Sequence, residues 1–163
     1  MPDPTSRAQT LIDRDSMQPH PEGGWYAELF RSQKTVVPDD GRSTRSALTT
    51  IHFLLAGSGR NGCSRLHRVH SDEVWHYLEG APLELIHLDP ELQTVKRVLL
   101  GPDHPTHVIP ADCWQAAITK GDYTLVACSV GPGFDFDDFA MASDLLSEEA
   151  RLRSNHPDLI DFL

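Results

Sequence analysis

Turn-forming clusters break the middle of the chain at close intervals: Gly57-Ser58-Gly59-Arg60-Asn61-Gly62, Gly80-Ala81-Pro82, Asp89-Pro90 and Gly101-Pro102-Asp103. Glycine reaches backbone angles closed to other residues, and proline fixes φ while removing an amide donor, so each cluster ends an extended run. The runs between them are short, rich in β-branched and aromatic residues, and show no helical period. A βαβ sheet needs a helix of about ten residues or more between strands. The spacing therefore predicts an all-β chain, a sandwich or closed barrel.

The flanks fit the same plan. Trp25 to Arg31 and Ala47 to Leu55 read as strands, the second mostly buried, and Tyr123 to Val130 reads as the last one. Thr5 to Asp15 suits a short peripheral helix capped by Thr5 or Ser6 and ended before Pro19. Ser143 to Arg153 suits a surface helix with Ser143 or Ser147 as cap, followed by one more helical turn in the tail at 156–163. The phenylalanines of Gly131 to Phe139 are expected to cover an open end of the barrel. With 163 residues, 39% of them apolar, one domain over 1–163 is expected, with its body at about 17–142 and a helical element at each end.

Composition removes several functions. Lys plus Arg number 14 against 24 Asp plus Glu, a net charge of −10, so nucleic acid is not an expected partner. Asp3, Arg7, Asp13, Arg14 and Asp15 leave no apolar run near the start, so neither a signal peptide nor a membrane anchor is expected, and the protein should be cytoplasmic. Cys63, Cys113 and Cys128 are odd in number and far apart, which suits reduced thiols in or near the core.

Chemistry concentrates between Arg65 and Gly80, where His67, His70 and His76 stand with Asp72, Glu73 and Glu79. Imidazoles and carboxylates converging inside a barrel suit zinc, iron, nickel or manganese by ligand type, and equally suit a metal-free acid–base pair. This stretch resembles the first motif of the cupins, with His67, Glu73 and Gly80 in register. Val69 stands where the motif has its second histidine, and His70 follows one residue late. Pro110 to Gln115 resembles the second motif, with Asp112 in place of glycine and Gln115 in place of the last ligand histidine. Together with His20-Pro21-Glu22-Gly23-Gly24 and Gly131 to Phe139, these blocks resemble a small single-domain cupin branch of unknown function often labelled a predicted sugar epimerase. The resemblance implies a jelly roll (double-stranded β-helix), commonly a homodimer, with a pocket between its sheets for a small-molecule ligand.

Each candidate carries a functional and a structural alternative. On a period-two strand Glu73, Trp75 and Tyr77 share one face and His76 the other, so His76 reaches a pocket only through a bulge. His67 is a pocket base or metal ligand, or a hydrogen-bonded strand histidine. Gln115 and Trp114 are ligand contacts or ordinary strand residues, and His52 is pocket wall or core. His20 and Glu22 sit on a glycine-flanked loop that serves as a lid or is a simple turn. His87, His104, His107 and His156, near turns or the chain end, are expected on the surface, as are the carboxylates of Asp135, Asp137 and Asp138.

Three functions follow. One is an epimerase-like or isomerase-like enzyme on a small polar, sugar-like molecule, with His67 as base, Glu73 orienting it and Tyr77 returning the proton. A second is a metal-dependent lyase or dioxygenase with His67, Glu73, Gln115 and His76 or His70 around a divalent ion. The third is a binding protein without catalysis, with Trp75, Tyr77 and Trp114 around its ligand.

Overall fold

A computed structural model describes residues 6–163. Helix α1 (Arg7–Asp15) precedes thirteen strands: β1 (Gln18–Pro19), β2 (Trp25–Arg31), β3 (Thr35–Val36), β4 (Arg45–Ser46), β5 (Thr49–Ala56), β6 (His67–Val69), β7 (Asp72–Gly80), β8 (Leu83–Leu88), β9 (Val95–Leu100), β10 (Thr106–Ile109), β11 (Trp114–Thr119), β12 (Tyr123–Gly131) and β13 (Phe139–Met141). Helix α2 (Leu146–Asn155) and a 3-10 segment at Pro157–Phe162 follow. The strands form a six-stranded sheet in the order β1-β2-β5-β12-β7-β10 and a five-stranded sheet in the order β13-β6-β11-β8-β9, with β3 and β4 as a separate ribbon. All pairs are antiparallel. The two sheets face each other as a jelly roll; the turn spacing predicted a sandwich or closed barrel, and the cupin resemblance implied this form of it.

Alternation builds the space between the sheets. Phe53 and Leu55 from β5, Trp75 from β7, Leu83 and Leu85 from β8, and Val126 and Cys128 from β12 point inward and form the central core. Leu54, Ile86 and Leu125 between them are buried as well, because each sheet has a helix on its outer face. Ala8, Leu11 and Ile12 of α1 lie on Leu54, Ala56 and Leu125, while Leu152 of α2 and Leu159 lie on Ile86, Leu88 and Trp114. Strands covered on both faces read as continuous apolar runs, as Phe53-Leu54-Leu55 does. The terminal helices are thus part of the packing: Leu11 and Leu152 are each fully buried.

The local signals hold in part. Ser6 Oγ accepts the Gln9 amide at 3.1 Å and caps α1; Thr5, the alternative cap, lies outside the described residues. Helix α2 begins three residues later than Ser143, and its cap position is Leu145, with no side-chain cap bond. Asp138 also departs from expectation. It is buried, accepting Arg45 Nε at 2.9 Å, Arg45 Nη2 at 2.8 Å and Arg42 Nη1 at 2.9 Å. Those bonds draw its carboxyl below the usual range despite the opposing effect of burial. They also fix the segment before β13 against the β3–β4 ribbon. No helix among the described residues is long and apolar enough to cross a membrane.

Candidate functional site

A cavity of about 270 Å³ opens between the sheets. His67, on β6 of the five-stranded sheet, forms part of its wall, and Glu73, on β7 of the six-stranded sheet, forms another. Its apolar lining includes Phe53, Trp75, Phe134, Phe136 and Phe139, and the Phe139 ring stacks on the His67 ring with centroids 5.5 Å apart.

Glu22 reaches His67 from the loop between β1 and β2. Gly23 and Gly24 adopt φ of +104° and +73°, and a Cβ on either would stand 2.9 Å from the Cys63 carbonyl oxygen or 2.8 Å from that of Leu54. The loop is closed on itself by the His20 amide on the Gly24 carbonyl at 3.0 Å, and tied to the 63–65 segment by the Arg65 amide on the Glu22 carbonyl at 2.6 Å. These bonds close it as a turn. Glu22 Oε2 consequently stands 3.0 Å from His67 Nε2.

The hydrogen bonds set the charges. His67 Nδ1 lies 2.7 Å from the Arg65 carbonyl, which only accepts, so Nδ1 carries a proton. Burial works against a charged ring, but Glu22 beside Nε2 outweighs it and raises the His67 pKa above its ordinary value. Glu22 is likewise penalised by burial, yet His67 and His20 hold it below the usual carboxylate range. Each partner favours the charged form of the other. His20 accepts the Glu22 amide on Nδ1 at 3.2 Å, and burial lowers its pKa, so it stays neutral.

Glu73 behaves oppositely. Burial, with the Glu22 charge adding to it, raises its pKa to about 7, although His67 and hydrogen bonds from Gln115 and Cys128 pull the other way. Gln115 Nε2 donates to Glu73 Oε2 at 2.6 Å, and Gln115 Oε1 accepts Trp75 Nε1 at 2.9 Å. One amide therefore ties the two sheets together and fixes both Glu73 and Trp75.

Of the residues anticipated for the site, the structure brings together His67, Glu73, Trp75, His20 and Glu22 on the cavity wall, with Gln115 behind them. Four others lie elsewhere. Trp114 follows the opposite parity from Gln115 and is buried under α2, its ring beneath the Arg68 guanidinium at 4.8 Å. His76 alternates away from Trp75, since β7 runs without a bulge between Glu73 and Tyr77. His52 points outward from β5 and bonds Asp15 at 2.7 Å. Tyr77 shares the inward face but lies beyond Trp75, donating to the Gly80 carbonyl at 2.6 Å, and is not part of the cavity wall. Cys128 was read only as core. It lines the cavity beside Glu73, and the inward parity of Val126 and Val130 on β12 was the available signal.

The anticipated metal set does not fit this geometry. Both nitrogens of His67 and both ends of the Gln115 amide are engaged within the protein, His76 faces away, and His70 bonds Asp112. No group of three His, Cys, Asp or Glu among the described residues is placed to hold an ion.

Comparison with known proteins agrees with the architecture. An uncharacterized protein of Saccharomyces cerevisiae, YML079W, is 29% identical over 157 residues, covering 85% of this chain and 76% of its own. A solved hypothetical protein from Leishmania major is 31% identical with a TM-score of 0.81, covering 96% of this chain and 97% of that one. The solved protein SO0799 from Shewanella oneidensis is 29% identical with a TM-score of 0.81, covering 98% of both chains. The family model described as Cupin superfamily (DUF985) matches residues 9–142, so the chain belongs to that family.

Proposed function

We propose that this cupin is a metal-free acid–base enzyme of the isomerase or epimerase type, acting on a small molecule held between the two sheets. The observation that supports this most directly is that His67, in contact with Glu22 at 3.0 Å, and Glu73 stand on the walls of one cavity, with burial raising the Glu73 pKa to about 7. A base works best when its pKa lies near the working pH, and Glu73 meets that condition. The roles differ from those expected of the sequence. Glu73 takes the proton from carbon next to a carbonyl and returns it, and His67 stabilises the developing oxyanion by sharing with it the Nε2 proton otherwise held by Glu22. Glu22 orients His67 and favours its charged form. Gln115 fixes the Glu73 carboxylate, and the aromatic wall excludes water, which strengthens each of these interactions.

The cavity also limits the substrate. At about 30 Å³ per water, its volume of about 270 Å³ corresponds to a molecule of roughly sugar size. Arg31 is the arginine of its rim, and it is already bonded to Glu28 at 2.8 Å and to the Phe134 carbonyl at 3.0 Å. That leaves the rim poorly suited to a phosphate and better suited to an uncharged carbonyl compound.

The experiment is proton exchange in deuterated water with a panel of small hydroxy-aldehydes and hydroxy-ketones, read by NMR for the native protein and for Glu73→Gln. Deuterium at the carbon next to the carbonyl, lost in the variant, supports the reading. A compound that binds the cavity and returns without deuterium sinks it in favour of a binding protein.

A further inference from the structure

Two histidines expected on the surface are drawn inward at the opposite side of the barrel. His87 on β8 follows the inward parity of Leu83 and Leu85 and is 7% exposed, and His107 on β10 lies beside Trp75 in the neighbouring strand. Strands β9 and β10 are the last members of their sheets, so the pair sits just inside the seam where the two sheets meet. Gln115 separates His87 from His67 across the five-stranded sheet, and Trp75 separates His107 from Cys128 across the other. The Trp75–Gln115 hydrogen bond thus stands between this pair and the cavity.

The two Nε2 atoms face each other at 3.3 Å, with ring planes inclined by 57°. The distance lies within hydrogen-bond reach, at its long end. It equals the spacing of two imidazole nitrogens on one tetrahedral ion, since Zn–N bonds of about 2.0–2.1 Å place them roughly 3.3–3.4 Å apart. Burial, followed by the neighbouring charges of Lys96 and, for one ring each, His107 and His104, holds both rings below their ordinary pKa. Both are therefore in the neutral form that binds metals.

We propose that His87 and His107 form a second site, a two-histidine clip for a divalent ion of the zinc type at the β9–β10 seam. No third His, Cys, Asp or Glu completes it among the described residues. The other positions on the ion are then open to water or to a small anionic ligand. Clipping β8 of one sheet to β10 of the other also braces the seam.

The test is calorimetric titration of the untagged full-length chain with zinc alone, at neutral pH in a non-chelating buffer, with folding of each variant checked by circular dichroism. The native chain binds one equivalent, and His87→Gln and His107→Gln each weaken it by about tenfold or more. His67→Gln leaves it unchanged. No uptake by the native chain overturns the proposal, as does uptake that survives both substitutions at the seam. Zinc lost on His67→Gln alone also overturns it, because that ion sits in the cavity.

Discussion

His67 Nε2 and Glu22 Oε2 stand 3.0 Å apart inside the barrel, and the second nitrogen of His67 is already committed to the Arg65 carbonyl. A ring with an acceptor at each nitrogen is favoured in its charged form, and that preference depends on the carboxylate beside it. Removing that carboxylate leaves burial as the dominant influence, which favours the neutral ring. Glu22→Gln therefore drops the His67 pKa below its present raised value. The check is histidine NMR across a pH titration of native protein and variant. If the reaction proposed above is correct, turnover falls with it by about 10²–10⁴-fold, the usual worth of a positioned acid. An unmoved His67 titration removes Glu22 from this role.

Glu73 makes stability depend on pH in a sense opposite to most carboxylates. Its folded pKa of about 7 lies above the ordinary 4.5. Below about 4.5 both folded and unfolded chains hold the proton, and Glu73 has no effect. As pH rises toward 7 the unfolded chain releases the proton while the folded one retains it, so stability is lost until the folded pKa is passed. A shift of this size corresponds to about 3 kcal/mol. Glu73→Gln keeps an oxygen for Gln115 and removes the charge, so it should be more stable than the native chain above neutrality by about that amount. Its advantage should vanish in mild acid. Urea unfolding across the pH range decides it, and parallel curves for the two proteins contradict the account.

Much of this arrangement was legible in residue order. The turns gave the strands, and period-two alternation separated Glu73 and Trp75 from His76 without any structure. The same rule forbids Trp114 and Gln115 from sharing a face, and placing both at the pocket ignored it. His87 was assigned to the surface by its nearness to Asp89-Pro90, when the inward parity of Leu83 and Leu85 pointed the other way. Glu22 is a different case: the sequence placed it near the pocket but not its contact with His67. Its partner lies 45 positions further on, and only the close backbone approach at Gly23 and Gly24 brings the two together. Nothing local in a loop sequence encodes a contact that the packing of distant segments creates.

Gln115 holds two buried groups at once. Gln115→Leu leaves the Trp75 N–H without its acceptor and Glu73 without its amide donor. Each unsatisfied buried group costs about 1–3 kcal/mol, so the loss should exceed that of a single hydrogen bond. Because the amide also favours ionised Glu73, the variant should titrate Glu73 at higher pH than the native chain. Denaturant midpoints give the first effect, and carboxyl NMR the second. A Glu73 titration that moves down, or not at all, contradicts the tie between the sheets.

Asp138 answers two arginines from within the fold. Arg45 is 8% exposed and donates twice to this one carboxylate, with Arg42 adding a third bond. Asp138→Asn leaves the Arg45 guanidinium buried without its counter-charge, which is more damaging than losing a pair whose charges both face water. Because its folded pKa is depressed, the stabilisation from Asp138 is present above the ordinary aspartate value and is lost as pH falls through the lower one. The comparison is Glu149→Gln, which removes the surface pair with Arg153 along α2 and should change stability by no more than about 0.5 kcal/mol. Melting temperatures of both variants, at neutral pH and in acid, test the difference. Asp138→Asn should melt well below the native protein at neutral pH, with the gap narrowing as acid protonates the native carboxyl. Equal melting of the two variants at neutral pH would show that the Asp138 cluster braces nothing. A clear drop would show that the charge cluster just before Phe139 stabilises the fold.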